Sequence, residues 1–554
     1  MGTIGSRPRI LAVILALLTV GTVHARIASA TTGAAPQGFP PEIVLLPDGT
    51  CAVYPVGDSN RTTIRPPFGV TPLPPTTPTL PEIKVTPDVA HVQLAIEYCA
   101  HVTLMTTNLA GVPTKFHFGN ADFSSQQPGM GKGLASDMVL ITKDVVIEGE
   151  EGSPYGRAMI VGGSAPFTIF PNQALYYHVS SRRFRLGPGV GIAQFYAPIP
   201  VADQAKLPAV TIRRLDSDQA SLDFIMVKAG RRVIIDDVSV TGMASPWDIP
   251  SDPLKGKWLF PIEIVPGNVL VFGEQYVEHV EITNCRLSPG SSSIQEVGIL
   301  VEVSAGTVVI AGNKIDVSYA GIGLLWSPSA AATIQGNEIT VNGPQTTPTL
   351  LVPSSGIALV SANNAFVANN TISGTGSRGL AITGSARSGN STGNVFQGID
   401  MRLFTARDTY IWCDPGAISN SGSKIGVPPG TSCDKYILDQ GTDNSFGRLE
   451  VTGLTPTPNS LWPPNRKMVP VSFDLTTSDG CGAVSCRIVN VTSSEPADPA
   501  GDWELAGPLL LRLRADRLGK GDGRVYAITV ECRDEMGSTA SKTVLVSVPH
   551  DQRR

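Results

Sequence analysis

The sequence predicts an all-β solenoid with a capping helix at its N-terminal end and a small antiparallel β-sandwich behind it. Two recurring phrases and one compositional fact predict this. The first phrase is V-E-I-T-N-C-R-L at Val280–Leu287, V-V-I-A-G-N-K-I at Val308–Ile315, A-T-I-Q-G-N-E-I at Ala332–Ile339 and F-V-A-N-N-T-I at Phe366–Ile372. The second places Gly before an apolar run, at Gly298, Gly321, Gly356 and Gly379. Short β-rich phrases returning every few dozen residues describe stacked coils. The 57 Gly and 45 Pro among 554 residues, with 16% charged, suit many short strands joined by turns.

The N-terminus reads as a secretory signal over 1–30: Arg7 and Arg9 precede the apolar run Ile10–Val20, and Ala28-Ser29-Ala30 offers a cleavage site. No later run reaches the ~18 apolar residues of a membrane span, and the C-terminus carries no anchor, so the mature chain is expected to be exported with no membrane span. Export makes the eight cysteines candidates for disulfides; none has a CxxC spacing with nearby histidines, so no metal site is expected. A net charge of −5 without a basic stripe excludes nucleic acid as the expected partner.

Residues 31–87 form a pattern-poor, Pro-rich linker. A helix is expected next, with Thr86 as N-cap, Pro87 at its first position and Val89, Val92, Ile96 and Cys99 at helical spacing. It would cover the open end of the first coil. The solenoid then spans 88–453. Aligning the strand phrases on their middle apolar residue gives Ile147, Ile212, Ile235, Ile282, Ile310, Ile334 and Val367. Intervals of 23 (Ile212 to Ile235) and 24 residues (Ile310 to Ile334) mark coils with minimal loops, each holding three short strands.

The [VI]-x-I-x-x-N-x-I phrases at Asn313, Asn337 and Asn370, with the Gly-Ile-x-Leu strands, resemble the right-handed parallel β-helix proteins of the pectin lyase-like group. The resemblance covers about two thirds of the chain and describes a coil. Three places after the alignment residue runs an interior column, Leu215, Val238, Cys285, Asn313, Asn337 and Asn370, whose asparagines can hydrogen-bond along the stack. Cys285 in that column is expected to be a buried free thiol. One place after it, Glu148, Arg213 and Asp236 should face outward as surface ion pairs, with Arg214 and Asp237 beside them. Beyond Asp400 the phrase is lost, and an irregular cap closed by Cys413 and Cys433 is expected.

Residues 454–554 alternate like a β-sandwich. With the Trp462-Pro-Pro-Asn-Arg-Lys phrase they resemble the immunoglobulin-like modules at the ends of secreted bacterial proteins. Cys486 and Cys532 can face one core, so a bridge between them is expected, with Cys481 as the competing partner.

Enzymes of the β-helix group act on polysaccharides laid along the coil. The resemblance implies carboxylates for a hydrolase, or Ca2+ and a base for a lyase. The family's catalytic phrases are missing, Asp414-Pro415 is followed by Gly416, and the histidines are scattered. No cofactor is evident, and Ca2+ enters only if the protein is a lyase. The longest later interval, 47 residues between Ile235 and Ile282, holds an insertion with Trp247, Asp248, Asp252, Lys255, Lys257 and Trp258. Tryptophan faces stack on sugar rings, and acids and amines beside them supply hydrogen bonds. The candidate site is therefore this insertion, with Trp326 as a further platform and Asp236 and Asp237 as catalytic candidates. Three functions stay open: a non-catalytic polysaccharide-binding adhesin or surface-display protein, a polysaccharide lyase or glycoside hydrolase, and a structural envelope component. The first is favoured, because the outward row of the later coils is mostly Ala, Gly, Thr and Gln. The sequence is silent on oligomeric state.

Overall fold

The computed structural model describes residues 39–551, apart from 59–61, 65–82, 120–138, 142, 164–165, 170–206, 221–222, 228–229, 244–257, 265–276, 289–294, 303–305, 328–330, 343–352, 386–388, 405–408, 429–430, 447–448, 479–483, 497–500 and 535–538. The expected signal segment lies outside these residues, as do most of the expected proline spacer and most of the 247–258 insertion.

The chain winds as a parallel β-helix in which successive coils feed three long sheets. The first sheet has 13 described strands, from Ile43–Leu45 to Ser445–Phe446; the second has nine, from Phe116–Gly119 to Asp400–Phe404; the third has ten, from Val139–Ile141 to Ile437–Asp439. Only the first pair of the first sheet is antiparallel among the described pairs of these three sheets.

The alignment on isoleucines is the true register. Ile147 pairs with Ile212, Ile212 with Ile235, Ile235 with Ile282, Ile282 with Ile310, Ile310 with Ile334, and Ile334 with Val367. All seven are fully buried. Parallel pairing with a side-chain period of two leaves one way to keep every isoleucine inside, so the hydrophobic pattern sets the register.

The Gly phrase has a steric cause. Gly298, Gly321, Gly356 and Gly379 stack in the third sheet, facing the branched side chains of the second. A Cβ on Gly356 would stand 2.6 Å from Ile372 Cγ2 and 2.9 Å from the Gly379 carbonyl. The corner is too narrow for any side chain.

The corner after each first-sheet strand needs one residue in the left-handed region. Arg214, Asp237, Asn284, Gly312, Gly336, Asn369 and Gly398 occupy it in turn, at φ between 53° and 67°. The next residue turns inward, and here the asparagine ladder forms as expected. Asn337 Nδ2 donates to the Ile310 carbonyl (3.0 Å) and to Asn370 Oδ1 (2.8 Å), while its own Oδ1 accepts from Asn313 N (3.0 Å) and Nδ2 (2.9 Å). Asn313 in turn accepts from Cys285 N at 2.9 Å. Cys285 is a buried free thiol, pushed up to about 12 by burial.

The cap is the helix Pro87–Tyr98. Thr86 Oγ1 accepts from Val89 N at 3.3 Å and donates to the His117 carbonyl at 2.6 Å. Asp88 is fully buried and accepts three backbone N–H groups, from Val56, Gly57 and His117.

Two expectations about the solenoid's ends are corrected. Part of the segment expected as a linker supplies the first-sheet strands Ile43–Leu45 and Cys51–Val53, and a Cys51–Cys99 disulfide ties the second of them to the end of the helix. At the other end the coils continue through Ser445–Phe446 with no irregular cap, and Cys413 is a buried free thiol, so it forms no bridge to Cys433. The asparagines there have changed corner: Asn394, Asn420 and Asn444 form a second ladder in front of the first-sheet strand. Asn394 Nδ2 meets Asn420 Oδ1 at 2.8 Å, and Asn420 Nδ2 meets Asn444 Oδ1 at 2.9 Å.

The sandwich packs a four-stranded sheet (Glu450–Thr457, Met468–Ser478, Leu510–Arg514, Trp503–Gly507) on a three-stranded one (Ser485–Ser493, Gly523–Arg533, Thr539–Pro549). Val471, Leu511, Leu513, Ile528, Val530 and Val546 fill its core. The Cys486–Cys532 disulfide forms, between residues directly opposite each other within the three-stranded sheet.

Candidate functional site

On the first sheet, side chains between the buried isoleucines face out. The column His101, Val146, Thr211, Ile234, Glu281 is set by register. Its three middle members floor an open groove of about 240 Å³, flanked by Asp144 and Arg232 on one side. Ala100, Ala209 and the strand backbone complete its lining, and the next outward column along the same strands, beyond that lining, is Glu148, Arg213, Asp236, Thr283. The groove is smaller than the roughly 300–1,000 Å³ of an enclosing ligand pocket, and it suits a chain laid across it.

Glu148 is the electrostatic centre of this neighbouring column. It accepts from Arg213 Nε at 2.6 Å and Arg214 NH2 at 2.7 Å, and it meets His101 Nε2 at 2.7 Å. Burial raises its pKa, but the hydrogen bonds from Arg213 and His101 and the two guanidinium charges outweigh that and hold the carboxyl below its ordinary value. At the far end of the His101 column His279 and Glu281, two apart on one strand and so on one face, meet at 2.6 Å, and Arg232 reaches Glu281 at 3.3 Å.

The two catalytic candidates are neighbours in sequence that serve different contacts. Asp236 Oδ1 accepts from Thr283 Oγ1 (2.7 Å) and Asn284 Nδ2 (2.8 Å). Asp237, at φ 53° in the corner, is paired with Arg157 at 2.8 Å. Neither joins Arg213 or Arg214, which serve Glu148. Arg157 also lies 3.0 Å from Asp216 and donates to the Asp237 and Leu215 carbonyls. Burial raises the pKa of Asp216; Arg157 opposes this and Asp237 adds to it.

Only the two ends of the expected binding wall lie among the described residues. The insertion leaves after Ser239–Thr241, a second-sheet strand, and returns at Trp258–Ile264, a third-sheet strand. On its N-terminal side the strand Ser239–Thr241 stands between Asp236 and Asp237 and the last described residue before the insertion. Trp247, Asp248, Asp252, Lys255 and Lys257 lie outside the described residues; the Trp258 backbone pairs with Gln295. Trp326 offers no platform: it is 2% exposed, packed with Val297, Leu300, Tyr319 and Leu325 in a cluster on the third sheet. Both faces of that sheet are buried, so an aromatic on its outward side is core.

His101, Arg157, Asp216, His279 and Glu281 were not singled out from sequence. His279-x-Glu281 on a strand phrase was a usable signal. Arg157 meets Asp237 across 80 residues, and nothing local announces that.

Residues 268–403 match the family described as a right-handed β-helix region, so the coils are right-handed there. No curated protein matches the chain. Among solved structures, the surface adhesin PfbA of Streptococcus pneumoniae is similar at 10% identity and a TM-score of 0.27, covering 70% of this chain and 94% of that one. The tailspike gp49 of Acinetobacter baumannii bacteriophage Fri1, a capsular polysaccharide depolymerase, is similar at 9% identity and a TM-score of 0.24, covering 84% and 76%.

Proposed function

We propose that this is an exported protein whose first-sheet groove binds polysaccharide without cleaving it, in an adhesin or surface-display role. The observation that carries the reading is the commitment of Glu148 to three partners, His101 on one neighbouring strand and Arg213 with the adjoining corner residue Arg214 on the other side. A carboxylate held this way is a fixed acceptor, and its lowered pKa makes it a poor base for taking a proton. Asp144 and Arg232 offer an acceptor and a donor beside a floor of Val146, Thr211 and Ile234, which suits the hydroxyls and ring faces of a sugar chain. Beyond Thr307 the outward row is uncharged, with Phe366 and Val395 about 40% exposed.

A screen of the full chain against polysaccharides, read for both binding and product, tests this. Thr211→Trp fills the groove and is expected to weaken binding about tenfold or more, with no reducing ends or unsaturated product from either protein. Retained affinity in that variant would sink the proposal. Trp247→Ala and Trp258→Ala report separately on the insertion, which stays in the proposal as a second contact with Asp248, Asp252, Lys255 and Lys257.

One observation favours lyase or hydrolase chemistry instead. Arg157 draws Asp216 and Asp237 together, and burial makes Asp216 the weaker acid of its ordinary kind, as a proton donor requires. Product formed by the wild type and abolished by Asp216→Asn would establish it. Calcium belongs only to the lyase form of that reading; among the described residues no group of three or more His, Cys, Asp or Glu could hold a metal ion. No described helix is long and apolar enough to cross a membrane.

A further inference from the structure

The solenoid groove leaves unused the phrase Trp462-Pro-Pro-Asn-Arg-Lys467 at one end of the sandwich. Its frame is fixed at both ends. Leu461 is 2% exposed and donates to the Ser547 carbonyl at 2.8 Å. Arg466 N donates to the Ala515 carbonyl at 2.8 Å, and Ala515 N returns to the Lys467 carbonyl at 2.9 Å. Asn465 Oδ1 accepts from Lys467 N at 3.1 Å, and Arg466 sits at φ 65°. Arg514 NH1 donates to the Arg466 carbonyl at 3.4 Å, so a second strand braces the turn.

What this frame displays has no part in the core. The Trp462 indole is 42% exposed, and the Arg466 side chain is 81% exposed. Arg466 approaches Asp516 at 3.5 Å, but an ion pair so open to water contributes little. On the two segments 462–467 and 510–520, joined by these bonds, Arg512 pairs with Glu504 at 3.6 Å, and Arg466, Lys467, Arg514, Arg517 and Lys520 stand against one carboxylate, Asp516, in a chain whose net charge is −5. A pre-formed turn carrying an exposed aromatic face beside cations loses little freedom on binding, and its field selects an anion.

We propose that this turn is a binding site for a carboxylated polysaccharide, with Trp462 stacking on a sugar ring and Arg466 and Lys467 pairing with uronate carboxylates. The site goes beyond the solenoid groove, whose mixed charges give no preference for an acidic chain. Nucleic acid is the weaker fit: one aromatic and a compact patch offer no stripe to follow a backbone, and the remaining surface is acidic on balance.

The test uses the full chain, with polygalacturonate as probe, dextran as the neutral control and single-stranded DNA as the competing polyanion, each titrated at low and at physiological salt. Wild type is expected to bind polygalacturonate, more weakly as salt rises, and to bind dextran and DNA at least tenfold less. Trp462→Ala and the double variant Arg466→Gln/Lys467→Gln should each weaken that binding about tenfold with an unchanged thermal midpoint. Thr211→Trp should leave it unchanged, which separates this site from the solenoid groove. Three results would overturn the proposal: no binding of polygalacturonate, equal binding by the turn variants, or DNA bound as tightly as the uronate polymer. The charge reversal Arg466→Glu gives an independent reading, since it must also weaken binding.

Discussion

Glu97, in the last turn of the capping helix, accepts from Gln93 at 3.3 Å, and Lys143 Nζ donates to its carbonyl at 2.8 Å. Burial pushes its carboxyl up to about 8, against the pull of Gln93 and Lys143. In the unfolded chain the group titrates near about 4.3. Between those values the folded state holds a proton that the unfolded state has released, so stability falls as pH rises through that window. Glu97→Gln is expected to flatten the decline, with urea midpoints at pH 5 and pH 8.5 closer together than in the wild type; parallel shifts in both proteins would refute this. Glu148 has the opposite sign. Its lowered pKa stabilises the fold above the ordinary carboxyl range, and that contribution fades as pH falls through the folded value. Neither shift was legible in the sequence, since each depends on neighbours from other coils.

At the scale of the element, the ladders show how much a local pattern can carry. The phrase with Asn at its sixth place located Asn313, Asn337 and Asn370, because the strand, the left-handed corner and the inward asparagine are consecutive residues. Asn394, Asn420 and Asn444 do the same work before the strand, where the phrase cannot match, so the last coils looked irregular. Asn337→Ala would leave the Ile310 carbonyl and the Asn313 N–H buried and unpaired, at about 1–3 kcal/mol for each group. A chemical-denaturation series should show that loss. A destabilisation below about 0.5 kcal/mol, the level of an ordinary surface change, would mean that water replaces the amide.

For the whole molecule, stacking makes stability a nearest-neighbour property. The Cys51–Cys99 disulfide joins the start of the first sheet to the helix that covers it, across 48 residues. Cys51→Ser should raise amide exchange in the first coils, from Ile43 to about Gly149, and leave the coils after Thr307 as protected as before. Uniform loss of protection would mean that the solenoid opens as one unit.

The sequence by itself determined the coil, its register, its interior column and the capping helix, and narrowed the partner of Cys532 to Cys486 or Cys481. Each of these is written in consecutive residues or in a fixed period. Only the tertiary structure decided which side chains meet across coils. It gave Glu148 three partners, sent Asp236 and Asp237 to different partners and buried Trp326. Those outcomes depend on loop lengths and on which sheet face is covered, and neither leaves a periodic trace in the chain.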